Sequence, residues 1–71
     1  MIELGVRKLE WFTYEEAIMY CFCLGDGWRL PVKEDMRMLL DKEKEFFGCW
    51  FHGQPHHPYK RLILPVRDIN D

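Results

Sequence analysis

The sequence predicts a small α+β domain whose elements run β-α-β-α-β-β. Three observations carry that reading. The capping box Thr13-Tyr14-Glu15-Glu16 opens an amphipathic segment that stops at Gly25-Asp26-Gly27. An extended Trp28-Arg29-Leu30 leads into Pro31, after which Glu34 and Asp35 mark the first turn of a second helix. Leu62, Leu64 and Val66 then alternate with Arg61, Ile63 and Arg67 in a closing strand.

Taken in order, residues 2 to 9 set Ile2, Leu4 and Val6 against Glu3 and Arg7, the loose alternation of a first strand. The first helix starts at the Thr13 cap, runs to about Leu24 and ends on Gly25 or Gly27. Helical spacing puts Tyr14, Ala17, Ile18, Cys21 and Leu24 on one inward face. The residue before Pro31 is pushed out of the helical region, so Trp28-Arg29-Leu30 is extended. The second helix spans roughly Lys33 to Glu45. Met36, Leu39, Leu40 and Phe47 form its inward stripe; Lys33, Arg37, Asp41 and Lys44 face water, and Gly48 breaks it. Two strands follow, residues 49–52 and 59–67, joined by Gly53-Gln54-Pro55-His56-His57-Pro58. Pro65 makes the last strand an edge strand, or turns its missing amide toward solvent.

Residues 1–71 make a single domain, near the lower limit for a self-sufficient core. Three Trp, three Tyr and five Phe help fill it, and self-association into a homo-oligomer would relieve a thin one. Ten basic and twelve acidic residues leave a net charge of −2, which argues against a nucleic-acid binder. Arg7-Lys8 and Lys60-Arg61, the adjacent basic pairs, read as solvated strand edges. No run approaches the ~18 apolar residues of a membrane span. Met1-Ile2-Glu3-Leu4 lacks the charged and apolar regions of a secretion signal, and three cysteines are an odd number. A cytoplasmic protein with reduced thiols is expected.

At Ala17-x-x-x-Cys21, Gly27-Trp28-Arg29-Leu30-Pro31 and Leu64-Pro65-Val66-Arg67 the chain resembles a bacterial C-type-lectin-like family. That family includes the C-terminal domain of bacterial collagen-like adhesins and is related in fold to the sulfatase-modifying factors. The resemblance covers residues 11 to 40 and, less closely, 61 to 67. It implies a minimal C-type-lectin-like fold: a small antiparallel sheet with two helices, the first and last strands paired. With the helical spacing, it places Tyr14, Ala17, Cys21, Trp28, Leu30, Leu40 and Leu64 in the core. Val32 stands where the family has a helix-capping Thr, and the long loop that carries ligand sites in larger relatives is reduced to residues 49–58.

The residues offer little chemistry. Cys49-x-x-His52 with His56 or His57 has finger-like zinc spacing, but Cys21 and Cys23 diverge on their helix and the prolines around His56-His57 read as a plain turn. No metal and no cofactor is expected; a zinc-stabilised module is the alternative. Gln54-Pro55-His56 lacks the carboxylate of a lectin calcium motif. Cys49 and His52, the local thiol-base pair, point to opposite sides of a strand, and the chain holds no Ser and one Thr, so an enzyme is not expected. Arg29 reads as structural, pairing a carboxylate or a helix end.

What remains is apolar surface. Met19, Phe22 and Cys23 lie on the first helix away from its inward face. Trp50, Phe51 and Tyr59 form a second aromatic group beside the shortened loop. A core this small does not enclose everything, and exposed Met and Phe are enriched at interfaces. The expected function is a protein-binding module acting through Met19, Phe22, Cys23, Trp50, Phe51 and Tyr59. Its size fits a phage or mobile-element accessory protein that inhibits a host factor; a small-ligand or glycan binder with a pocket near Trp50 and Tyr59 is a further alternative.

Overall fold

In a computed structural model, which describes residues 1–54 and 59–69, the two ends of the chain lie side by side. Strand β1 (Ile2–Leu4) pairs antiparallel with β4 (Val66–Asp68), and β2 (Lys8–Phe12) pairs antiparallel with β3 (Arg61–Ile63). The two short sheets form one ribbon, because the Gly5 N–H donates to the Pro65 carbonyl at 2.8 Å across the gap between them. Only glycine fits at that crossing. A Cβ on Gly5 would lie 2.9 Å from Pro65 Cγ and 3.1 Å from Trp28 Cζ3. The first and last strands are thus paired, in a small α+β fold.

The expected first strand, residues 2–9, is split at Gly5 and its second part extends to Phe12. The expected last strand is split as well. Pro65 has no amide to give the ladder, and the chain changes partner there. The ribbon is regular at one end and bulged at the other. Ile2, Glu3 and Leu4 face Asp68, Arg67 and Val66 one to one, whereas Leu9, Glu10 and Trp11 all lie opposite the single Leu62. Two isolated contacts widen the ribbon. Arg29 exchanges backbone hydrogen bonds with Val66 at 2.8 and 2.9 Å. Gly48 and Trp50 bond Leu62 on the outer side of β3, each at 2.9 Å. The extended segments predicted at residues 28–30 and 49–52 are therefore single bridges rather than full strands.

Helix α1 (Tyr14–Leu24) begins as its sequence requires. The Glu16 N–H donates to Thr13 Oγ1 at 3.2 Å, and Glu16 Oε1 accepts from the Thr13 N–H at 2.8 Å. It ends at Gly25, and a tight turn follows in which Asp26 (φ 53°) and Gly27 (φ 82°) are both left-handed. Asp and Gly tolerate that region, which lets the chain reverse within two residues. Ala17 and Cys21 are buried as expected, but Leu24, in the last turn, is 40% exposed.

The expected second helix is two segments, α2 (Lys33–Met38) and a 3₁₀ helix (Leu40–Phe46), so the described residues form three helical segments rather than two. Leu39 breaks the line with φ −123° and ψ 54°. Beyond it the 100° step of an α-helix no longer sets the facing. Phe46 is buried instead of Phe47, and Leu40, expected in the core, is exposed.

Among the described residues two clusters make the core. One gathers Ala17, Cys21, Leu30, Trp50 and Ile63; the other gathers Phe46, Cys49, Leu64 and Val66. Trp50 is the largest wholly buried side chain. Its Nε1–H donates to the Phe12 carbonyl at 2.8 Å, and Tyr14 meets it edge-on at 5.5 Å. Tyr14 and Trp28, both expected in the core, are only partly buried.

Candidate functional site

Because α1 turns Ala17 and Cys21 inward, its opposite side presents Met19 and Phe22 to solvent, with Cys23 exposed beside them. Phe22 is 79% exposed and Met19 58%, too much for side chains of that size to be explained by incidental exposure within a core layer. The apolar surface continues past the helix. A cleft of about 190 Å³ runs from Phe22 and Ile18 to Trp28 and His52. Across Trp28, a second cleft of about 420 Å³ is lined by Leu24, Val6, Leu4 and Pro65. Trp28 is the wall between the two.

Ion pairs hold that wall. The Arg67 guanidinium lies 4.6 Å from the centre of the Trp28 ring, and its Nε–H donates to Glu3. Next to Trp28, Arg29 donates from Nη1 to Asp35 Oδ2 at 2.9 Å and from Nη2 to Asp68 at 3.3 Å. Asp35 is buried and also accepts from the Val32 N–H at 2.8 Å, so it reaches back from inside the helix to bond the cap residue, whose own side chain has no acceptor to offer. Burial alone would raise the Asp35 pKa, but the hydrogen bonds from Arg29 and Val32 outweigh it and hold the carboxyl below its ordinary value. The hydrogen bond to Asp35 in turn raises the Arg29 pKa. The structural role expected of Arg29 is the one observed.

The second aromatic group does not form a surface. Trp50 is fully buried and belongs to the core, which corrects its expected place at a partner interface. Cys49 and Trp50 are drawn inward by the contact of residues 48–50 with Leu62, and the α1 side closes over the indole. Phe51 is half-buried, stacked on Phe46 with ring centres 6.0 Å apart. Only Tyr59 of this group is well exposed, at 72%.

Cys49 is buried too, its thiol directed at the carbonyls of Glu45 and Phe47, while His52 stands exposed in a turn. Burial pushes both the Cys21 and the Cys49 thiols up to about 11, away from the thiolate that metal binding or nucleophilic attack requires. Among the described residues no three His, Cys, Asp or Glu side chains converge on one point. His56 and His57 lie outside the described residues. No helix is long and apolar enough to cross a membrane among them.

Sequence reading missed a further exposed group. Leu9 and Trp11 on β2 are 69% and 66% exposed. The alternation Lys8-Leu9-Glu10-Trp11 marks both as one face of a strand, but the bulge that leaves that face uncovered has no sequence signature of its own. No protein-family model, no curated protein and no solved structure matches this chain.

Proposed function

We propose that this chain is a small protein-binding module of C-type-lectin-like type that docks its partner on the outward face of α1. The carrying observation is the exposure of Phe22 and Met19 on a helix that is firmly capped and packed on its other side. A rigid helix presenting an apolar face loses little entropy on docking. The clefts on either side of Trp28 extend the face and offer pockets for a partner's side chains. Antiparallel pairing of β1 with β4 and the bridge from Arg29 to Val66 support the family reading. Tyr59 stands at the margin of the interaction, and Trp50 has no part in it.

The test is affinity for a protein that co-purifies with the tagged chain. Replacing Met19 and Phe22 together with Asp should weaken binding by ~2 kcal/mol or more, roughly 30-fold. Tyr59→Ala should leave it nearly unchanged. Both variants should keep the wild-type circular dichroism, because the substituted side chains are exposed. A folded Met19→Asp/Phe22→Asp variant with full affinity would refute the proposal.

A further inference from the structure

We propose that the outer edge of β2 pairs with the same edge of a second copy of this chain, forming a four-stranded sheet across a two-fold axis. The inference is independent of the α1 surface. It starts from the order of the ribbon. The outer side of β3 is taken by Gly48 and Trp50 through Leu62, and β2 covers its inner side. No described strand pairs with the far edge of β2. That edge is therefore a template for strand addition.

Charge decides what is added. Two antiparallel copies of β2 can be centred on Leu9, Glu10 or Trp11; centring on Trp11 sets Glu10 opposite Phe12 and pairs no charges. Centring on Glu10 sets the two Glu10 carboxylates opposite each other, which is unfavourable. Centring on Leu9 sets Lys8 opposite Glu10 of the second copy and Glu10 opposite its Lys8. Within one chain Lys8 and Glu10 already share a side of the strand, with Lys8 Nζ 3.3 Å from Glu10 Oε1. Pairing exchanges that contact for the equivalent one across the axis and strands no charge. The alternate face meets itself equally well. Leu9 lies on Leu9, and the exposed Trp11 of each copy flanks that pair. An isologous contact needs such self-complementarity, and both faces of β2 have it.

Edge strands are usually protected by bulges and by charge. Here the bulge detaches Leu9, Glu10 and Trp11 from β3, and the two charges disfavour the Glu10-centred register while favouring a second copy in the Leu9-centred one.

Sedimentation velocity on the full chain, from low to high micromolar concentration, tests the proposal. The wild type should pass from monomer to dimer. Glu10→Lys and Lys8→Glu should each place like charges opposite one another and weaken dimerisation by roughly 10-fold or more. An equimolar mixture of the two single variants should restore it, because each then supplies the charge that the other lacks. The double exchange Lys8→Glu/Glu10→Lys should dimerise like the wild type. A chain that stays monomeric throughout overturns the proposal. So does a dimer that survives both single variants, or one that neither the mixture nor the double exchange restores. A dimer lost instead on Met19→Asp/Phe22→Asp places self-association on α1 and overturns it as well.

Discussion

Both ends of the ribbon are antiparallel strand pairs, but one is regular and tied by ion pairs and the other is bulged and partly bare. At the β1·β4 end, β4 is flanked on both edges, by β1 and by Arg29. Ion pairs among Glu3, Arg67, Arg29, Asp35 and Asp68 then tie together segments far apart in sequence. At the β2·β3 end the register slips, Leu9 and Trp11 face water, and the Trp50 indole anchors β2 through the Phe12 carbonyl. Strand propensity does not separate the two ends, since β2 holds an aromatic pair and β1 a single Ile and Leu. What separates them is which loops return to cover them.

The widest separation should come from Trp50→Ala. The change empties the centre of the first core cluster and releases the Phe12 carbonyl, and it should cost ~3–5 kcal/mol. For a chain of 71 residues that is a large share of the available stability. Urea titration followed by circular dichroism should show no cooperative transition, and a normal transition would mean that the β2·β3 end is held by something else.

Arg29→Met tests the other end. Asp35 would stay buried with only the Val32 N–H as donor. Breaking a buried pair costs more than making it gains, but the Arg29 side chain is 35% exposed, so a loss of about 2 kcal/mol is expected rather than the full figure. The pH dependence has a definite sign. The folded Asp35 carboxyl titrates below its ordinary 3.8, so its contribution is complete above that value and is lost as pH falls through the lower folded one. Acid unfolding of the wild type should show this loss, and Asp35→Asn should remove it from the profile.

Trp11→Ser should change monomer stability by less than ~0.5 kcal/mol, the usual result at an exposed site with no special contact. A larger loss in the urea midpoint would show that the bulged end is covered after all, and the contrast between the two ends would shrink.

The parts of the fold that depend on neighbours in sequence were legible beforehand. The Thr13 capping box, the Gly25 stop, the inward Ala17 and Cys21, and the extended Trp28-Arg29-Leu30 each rest on a few adjacent residues. What was not legible depended on distant ones. Helical spacing continued across Leu39 exposes Phe46 and buries Leu40, the reverse of what is found, because nothing nearby announces the break. Trp28 and Trp50 look alike in local context. Yet Trp50 is wholly buried and Trp28 only partly, and the choice is made by Phe12 and Leu62 reaching residues 49–50 from either end of the chain. For the candidate site, Met19 and Phe22 were correctly placed on an exposed face because one helix decides their direction. Trp50 was misplaced because three segments decide its own.

Pairing the first residues with the last has a consequence for how the chain acquires its shape. During synthesis β1 precedes α1, α2 and β3, and its partner β4 follows them all. The Ile69 N–H bonds the Met1 carbonyl at 2.8 Å, so the closing contact joins residues far apart in sequence. Helix α1 can form on the way, but the ribbon cannot, and contacts of such long sequence separation slow folding. Until residues 61–69 arrive, Ile2, Leu4 and the β2 aromatics have no partner strand, and this interval is when the nascent chain is most open to aggregation.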